Sequence, residues 1–339
     1  MSAPVITFFN NKGGVGKTSL VYHLAWMYAE KGRRVVAVDL DPQSNLTAAF
    51  LPEERLERLW PEQGERKTVY GSISPLLRGT GDIISEPFLE PVSEELALLP
   101  GDLELSRFED ELSQQWPDCL DGRERAFRVI SAFSRLLAAA SSAHRADIVI
   151  VDVGPNLGAI NRAALVASQN VVVPLAPDLF SVQALRNLGP TLVAWRAQWA
   201  ERLLKNPDPE LHLPTGSMTP LGYVLLQHGV RLGSPVKAYQ RWMARIPTVY
   251  RASVLRSSGG ENIAVADDEH CLSQLKHYRS LMSMAQDARK PVFALRAADG
   301  AFGGHQLAAL RAYRDFSDLA DAVRLRAASD GGGIPSPPG

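Results

Sequence analysis

The sequence predicts an α/β fold, with a mainly parallel twisted sheet carrying helices on both faces. Three observations point to it. Short β-branched runs recur along the 339 residues: "VITFF" (5–9), "RVVAVD" (34–39), "LALLP" (96–100), "DIVIVDV" (147–153), "NVVVPLAP" (170–177) and "LGYVLLQ" (221–227). They are apolar on both faces, as strands of a sheet covered on both sides must be. Amphipathic stretches of helical period lie between them, and the first two runs are joined by a glycine-rich turn and one helix.

The turn after the first strand is "NNKGGVGKTS" (10–19). Gly13, Gly14 and Gly16 let the backbone turn tightly, so successive N–H groups point into one concavity. That nest and the following helix N-terminus can hold phosphate oxygens, with Val15 and Ser19 completing the nucleotide-binding loop. Lys17 can reach the β- and γ-phosphates, and the Thr18 hydroxyl can ligate Mg²⁺. Leu20, Leu24, Met27 and Tyr28 then recur at helical spacing, and Gly32 is a natural C-cap. Lys12 is a second lysine, placed where the pattern G-x-x-x-x-G-K-[ST] is still forming its turn, and Asn11 stands where that pattern has its first glycine. Either the loop is degraded or Lys12 has a different job.

The second strand ends in "VAVDLDPQSN" (36–45), where Asp39 and Asp41 lie two apart and project on one side, towards the phosphates. A carboxylate there can order Mg²⁺-bound water or orient the water that attacks a γ-phosphate. Pro42 stops the strand, and Gln43, Ser44 and Asn45 open a loop able to change shape. A helix over 124–146 leads to "DIVIVDVGPNLG" (147–158), whose strand-end Asp152 is placed for coupling to a metal ion. The turn at Gly154, Pro155 and Asn156, with Gly158, follows as a segment that could sense the γ-phosphate. A later helix over 181–204 is expected to break at Gly189 and Pro190. Residues 205–220 and 256–270 read as insertions in a single domain over 1–327, and the Gly/Pro-rich 328–339 as a disordered tail.

Composition excludes several classes. Cys119 and Cys271 are the only cysteines and lie in no C-x-x-C pair, so neither a disulfide framework nor a thiolate cluster is encoded. H-E-x-x-H and G-x-S-x-G are absent, and no apolar run approaches the ~20 residues of a membrane span. A cytoplasmic protein is expected. The formal net charge of −1 hides an asymmetry: residues 81–121 hold twelve Asp or Glu and one basic residue, Arg107. Residues 211–260 hold no acid but carry Arg231, Lys237, Arg241, Arg245, Arg251 and Arg256. Either the second segment presents a basic face to a polyanion, or the two segments neutralise each other.

Taken together, "NKGGVGKTS", "VDLDPQSNLT" and "ADIVIVDVGPNLG", with the strand and helix after the last, resemble the ParA/MinD family of deviant Walker A (SIMIBI-class) P-loop ATPases. Later segments (98–113, 245–255 and 290–323) resemble ParA-type ones in the expected order. The resemblance implies a homodimer formed with ATP and Mg²⁺, in which Lys12 acts across the interface on phosphates bound by the other subunit, while Lys17 acts within its own. Asp41 would lie next to the attacking water, Asp39, Asp152 and Thr18 on the metal side, and Pro247 near the adenine. It implies weak, partner-stimulated ATP hydrolysis that partitions or positions DNA or another cargo, non-specific DNA binding on the nucleoid, and a ParB-like or cargo adaptor. Arg231, Lys237, Arg241, Arg245 and Arg251 are the candidate DNA contacts. A MinD-like membrane positioner and an ATP-dependent ligase of the same fold are the alternatives, though no membrane partner is expected because the last helix carries three aspartates. Eleven residues precede Lys12, so no DNA-reading domain is expected ahead of it. One departure stands out: the family pattern Asp-x-Pro-Pro is here Asp152-Val153-Gly154-Pro155, which loosens that turn.

Overall fold

The computed structural model describes residues 3–227, 236–278 and 280–329. Its eight strands are β1 (Val5–Phe8), β2 (Val35–Asp39), β3 (Glu90–Pro91), β4 (Leu96–Leu99), β5 (Ile148–Asp152), β6 (Asn170–Leu175), β7 (Thr219–Gln227) and β8 (Cys271–Lys276). All belong to one sheet of order β3-β4-β2-β5-β1-β6-β7-β8, parallel except for the β3–β4 pair. Alternate residues feed two apolar layers. Val5, Phe9, Val36 and Val38 pack on one face, and Ile6, Phe8, Val35 and Ala37 on the other. The six strands expected from sequence all form.

Register places the future site. Asp152 pairs with Phe8 on one side and with Asp39 on the other, so β1, β5 and β2 end level. The turns after these three strands therefore leave the sheet together. In parallel sheets, this carboxyl edge is where ligands bind.

Several elements differ from expectation. The 124–146 helix is two, Glu124–Ile130 and Ala132–His144, joined at Ser131. The Leu179–Leu203 helix does not break; it continues past Pro190. An interior proline costs ~3 kcal/mol, but burial of a large apolar side chain returns ~1.5–3 kcal/mol, and this helix buries Val182, Leu185, Leu188, Leu192, Trp195 and Trp199. Gly189 serves packing instead: a Cβ there would sit 1.7 Å from the Ser253 carbonyl oxygen. β8 was missed because it is mostly half-buried and half-polar, with β7 as its one strand partner. Of the insertions, residues 205–218 are loop and Thr219 already starts β7, while 256–270 holds one short 3₁₀ turn, Val265–Asp267. The last helix, Gly304–Ser329, extends past 327, and the rest of the expected tail lies outside the described residues.

The Lys17–Glu30 helix is tied to the C-terminal region by a buried histidine. His23 Nδ1 donates to the Ser19 carbonyl at 2.6 Å, Nε2 accepts from the Val292 N–H at 3.1 Å, and the ring stacks on Phe316. Burial lowers its pKa from 6.5 to about 4. The neutral ring is therefore the folded form, and its stabilisation is complete above pH 6.5 and lost as pH falls towards 4. At ~1.4 kcal/mol per unit, His23→Gln should shrink the loss of unfolding free energy between pH 7 and about 4.5 by roughly 2–3 kcal/mol, measured by urea titration.

The acidic segment is neutralised locally. Glu90 pairs with Arg55, Asp102 with Arg66, Glu111 with Arg125, and Asp82 with Arg128 and Arg135. Among the described residues no ion pair joins 81–121 to the basic stretch.

Candidate nucleotide site

The glycine loop has the backbone its sequence demands. Gly14 and Gly16 lie in the left-handed region, at φ 70° and 85°, where a side chain would be strained. Gly16 then starts the Lys17–Glu30 helix. Lys17 is buried and its Nζ donates to the Asn10 carbonyl at 3.1 Å. Burial lowers the Lys17 pKa, against the pull of Asp152 and Asp41. A cation held this way under a concavity of N–H groups is prepared for a polyanion.

The three aspartates share the edge but not one role. Asp152 is fully buried, and neither carboxylate oxygen makes a hydrogen bond. Burial, then the nearby Asp39, pushes its pKa up to about 8, while the neighbouring Thr18 hydroxyl and Lys17 favour its charged form. Asp41 is buried and caps its own loop, with its Oδ1 accepting from the Gln43 N–H at 3.0 Å. Asp39 is the most heavily hydrogen-bonded of the three. Its Oδ2 accepts from both the N–H and the hydroxyl of Thr47 at 2.8 Å, and its Oδ1 from the Asp41 N–H at 3.2 Å. Those bonds tie Asp39 to the 41–47 loop. Burial raises its pKa to about 7. Among the described residues no three His, Cys, Asp or Glu side chains are arranged as a metal cage. An Mg²⁺ ion held mainly by phosphate and water needs none, and the unbonded oxygens of Asp152 beside the Thr18 hydroxyl fit that kind of site.

A cavity of about 650 Å³ opens from the loop and runs between the Lys17–Glu30 helix and the Ser280–Ala288 helix. Gly13 to Ser19 form its floor, and Asp41, Asn45, Tyr22, Met282 and Arg289 part of its walls. A smaller cavity of about 130 Å³ continues past Ser19 to Leu226, Leu275, Tyr278 and Met282, an apolar slot of the kind a flat base enters. Pro247 lines neither: it is buried in the Ile246–Tyr250 helix, its backbone against Gly260. The far wall was missed from sequence because it depends on β8 and the helix after it.

Lys12 points out of the concavity. Its Nζ pairs with Asp178 and lies 5.9 Å from the centre of the Phe180 ring. Asp178 also caps the Leu179–Leu203 helix, accepting from the Ser181 N–H at 2.8 Å. Phe180 is 69% exposed, and Leu157 and Leu179 are exposed too. This partner of Lys12 carried no signal in the sequence.

The candidate DNA residues separate. Arg231 and the Lys237 side chain lie outside the described residues. Arg241 and Arg245 are exposed, with guanidinium groups 4.8 and 5.0 Å from the Trp242 ring. Arg251 is corrected: it is 8% exposed and pairs with Asp268 at 2.7 Å, which also accepts from the Tyr223 hydroxyl. It braces the interior and is not offered to an outside ligand. Among the described residues no helix is long and apolar enough to cross a membrane. Burial pushes both thiols, Cys119 and Cys271, up to about 12, and both are free.

Comparison with known proteins places this geometry. The AAA domain family matches residues 3–204. A ParA family protein of Chlamydia trachomatis is 31% identical over 179 residues, 52% of this chain and 60% of its own length. The sporulation initiation inhibitor protein Soj of Bacillus subtilis is 29% identical over 184 residues, 54% of this chain and 62% of its own. The chain thus spans less than two thirds of these curated relatives, and about two fifths of a putative replication protein A of Rhizobium rhizogenes, 42%. The crystal structure of protein DIP2308 from Corynebacterium diphtheriae is 27% identical with a TM-score of 0.68, covering 96% of this chain and 99% of that one. The family match covers more than half of the chain, so the chain belongs to the AAA domain family, and a ParA family protein and Soj are among the proteins it resembles.

Proposed function

We propose that the protein is a ParA-like ATPase that dimerises on ATP, hydrolyses it to ADP and phosphate, and binds DNA without sequence preference to partition or position DNA or another cargo. One observation carries the enzymatic part: Lys17 lines the cavity over the glycine loop, and the buried Asp152 carboxylate, without a hydrogen bond, lies close enough to act on its charge. Thr18 and Asp152 would hold Mg²⁺, Asp152 through water, and the ion would supply charge neutralisation at the phosphates. Asp41 lies where it can orient an attacking water. Lys12 stands at the rim beside exposed Leu179 and Phe180, an apolar face suited to a second copy of the chain, and can exchange Asp178 for a phosphate across that interface. A ParB-like or cargo adaptor would stimulate turnover.

For DNA, the supporting feature is the exposed Arg241–Trp242–Arg245 cluster, cations with no acid partner among the described residues. Binding should need ATP and fall steeply with salt. The double variant Arg241→Glu/Arg245→Glu should bind at least about tenfold more weakly at ~100 mM salt, with a salt slope shallower by about 2. Fluorescence anisotropy with a random duplex, with ATP, with ADP and without nucleotide, tests this. DNA indifference in every state removes the DNA half of the proposal.

A further inference from the structure

The turn that follows Asp152 has a weak point and a compensating side chain. Gly154 allows more backbone freedom than any other residue at that place, and only the following proline restrains it. Yet the turn must hold still, because it touches the phosphate loop and the water-side carboxylate. Pro155 lies 3.8 Å from where a Cβ on Gly13 would be, and a Cβ on Gly154 would lie 3.3 Å from Asp41 Oδ1.

Asn161, in the first turns of the Ala159–Val166 helix, supplies the restraint. It is 1% exposed, and its Nδ2 donates to the Gly154 carbonyl at 2.8 Å, the Asn156 carbonyl at 2.7 Å and Asn156 Oδ1 at 3.0 Å. Asn156 Oδ1 also accepts from the Gly158 N–H at 2.8 Å. One amide group thus gathers both ends of the 154–156 turn. The helix that carries it is fixed in turn by Glu109, whose carboxylate accepts from the Ala159 and Ile160 N–H groups at 2.5 and 2.8 Å. A Cβ on Gly158 would lie 2.5 Å from that carboxylate, so a larger residue there would make Glu109 move.

We propose that Asn161 is a positioning residue: its carboxamide holds the 154–156 turn against Asp41 and Gly13 in the geometry that ATP hydrolysis uses. The inference rests on the ATPase reading given above. Asn161 lines neither part of the nucleotide cavity, so it acts through the turn and not on the nucleotide. Its three acceptors sit on residues that glycine leaves free to move.

The experiment compares wild type, Asn161→Ala, Asn161→Asp and the double variant Gly154→Pro/Asn161→Ala. Proline at 154 limits the backbone directly, and among the described residues the Gly154 N–H makes no hydrogen bond that it would remove. Asn161→Ala should keep ATP affinity within about threefold while kcat falls at least about tenfold at unchanged KM. Asn161→Asp offers at most one O–H where the amide has two N–H groups, so it should lose part of kcat, and more of it as pH rises. The double variant should recover most of kcat. Hydrogen exchange of the 154–158 amides, measured without nucleotide, should quicken at least about tenfold in Asn161→Ala and return in the double variant. Wild-type kcat in Asn161→Ala overturns the proposal. So does unchanged exchange, or a kcat loss that comes with lost ATP binding and resists the proline. A wild type that binds ATP but never turns it over sinks the ATPase reading instead, and the exchange data separate that failure from this one.

Discussion

Lys12→Ala is expected to bind ATP within a few fold of wild type yet to lose ATP-driven dimerisation and about 10³-fold in turnover, the scale of a cation supplied in trans. The structure gives the reason for the split. Lys12 is turned out of the loop towards Asp178, so its removal leaves the N–H nest and Lys17 intact. Lys17→Ala, by contrast, removes a charge-assisted contact inside the nest, worth ~1.5–3 kcal/mol per hydrogen bond, and should weaken nucleotide binding itself about a hundredfold. Sedimentation velocity with ATP and Mg²⁺, paired with phosphate release, reads both. A Lys12→Ala protein that dimerises and turns over normally would refute the trans role.

Asp152→Asn should do two opposite things. Phosphate release should drop by about 10²–10³, because the buried carboxylate that fits the metal side is gone. Stability without nucleotide should rise. Both Asp152 oxygens are buried without a hydrogen bond, and burial holds the group's pKa near 8. An acid whose folded pKa is raised favours the unfolded state increasingly as pH climbs from about 4 towards that value. The variant escapes this penalty, a few kcal/mol at pH 8 by the size of the shift. Its melting temperature should therefore exceed the wild type's at pH 8, and the gap should narrow towards pH 4.5. A variant less stable than wild type at pH 8 would mean that Asp152 has a partner in the nucleotide-free fold.

How much of this could be read from the chain varies by element. The loop at 13–18, Asp41 and Asp152 were legible because each needs local features alone: glycines, a strand end and a carboxylate. The six inner strands were legible because burial on both faces writes itself as unbroken apolar runs. The bonds that Thr47 gives Asp39 were not legible, because strand alternation says which side a carboxylate leaves from and not which donors the fold brings to it. Arg251 was misassigned for a related reason: a basic count cannot tell a surface arginine from one whose acid, Asp268, arrives from a different segment. Pro190 shows propensity overruled by packing. The Asp178 partner of Lys12 lies 166 residues away, and nothing but the fold brings them together.

That last contact has a mechanical side. The Leu179–Leu203 helix begins at the residue that grips Lys12, and a few turns on, at Gly189, it bears on Ser253, just beyond the exposed arginines. At ~1.5 Å per residue it spans about 37 Å, with Trp195 and Trp199 buried along it. Were Lys12 drawn away, Asp178 would still cap the helix through the Ser181 N–H, so the helix keeps its footing while one carboxylate oxygen at its tip loses its cation.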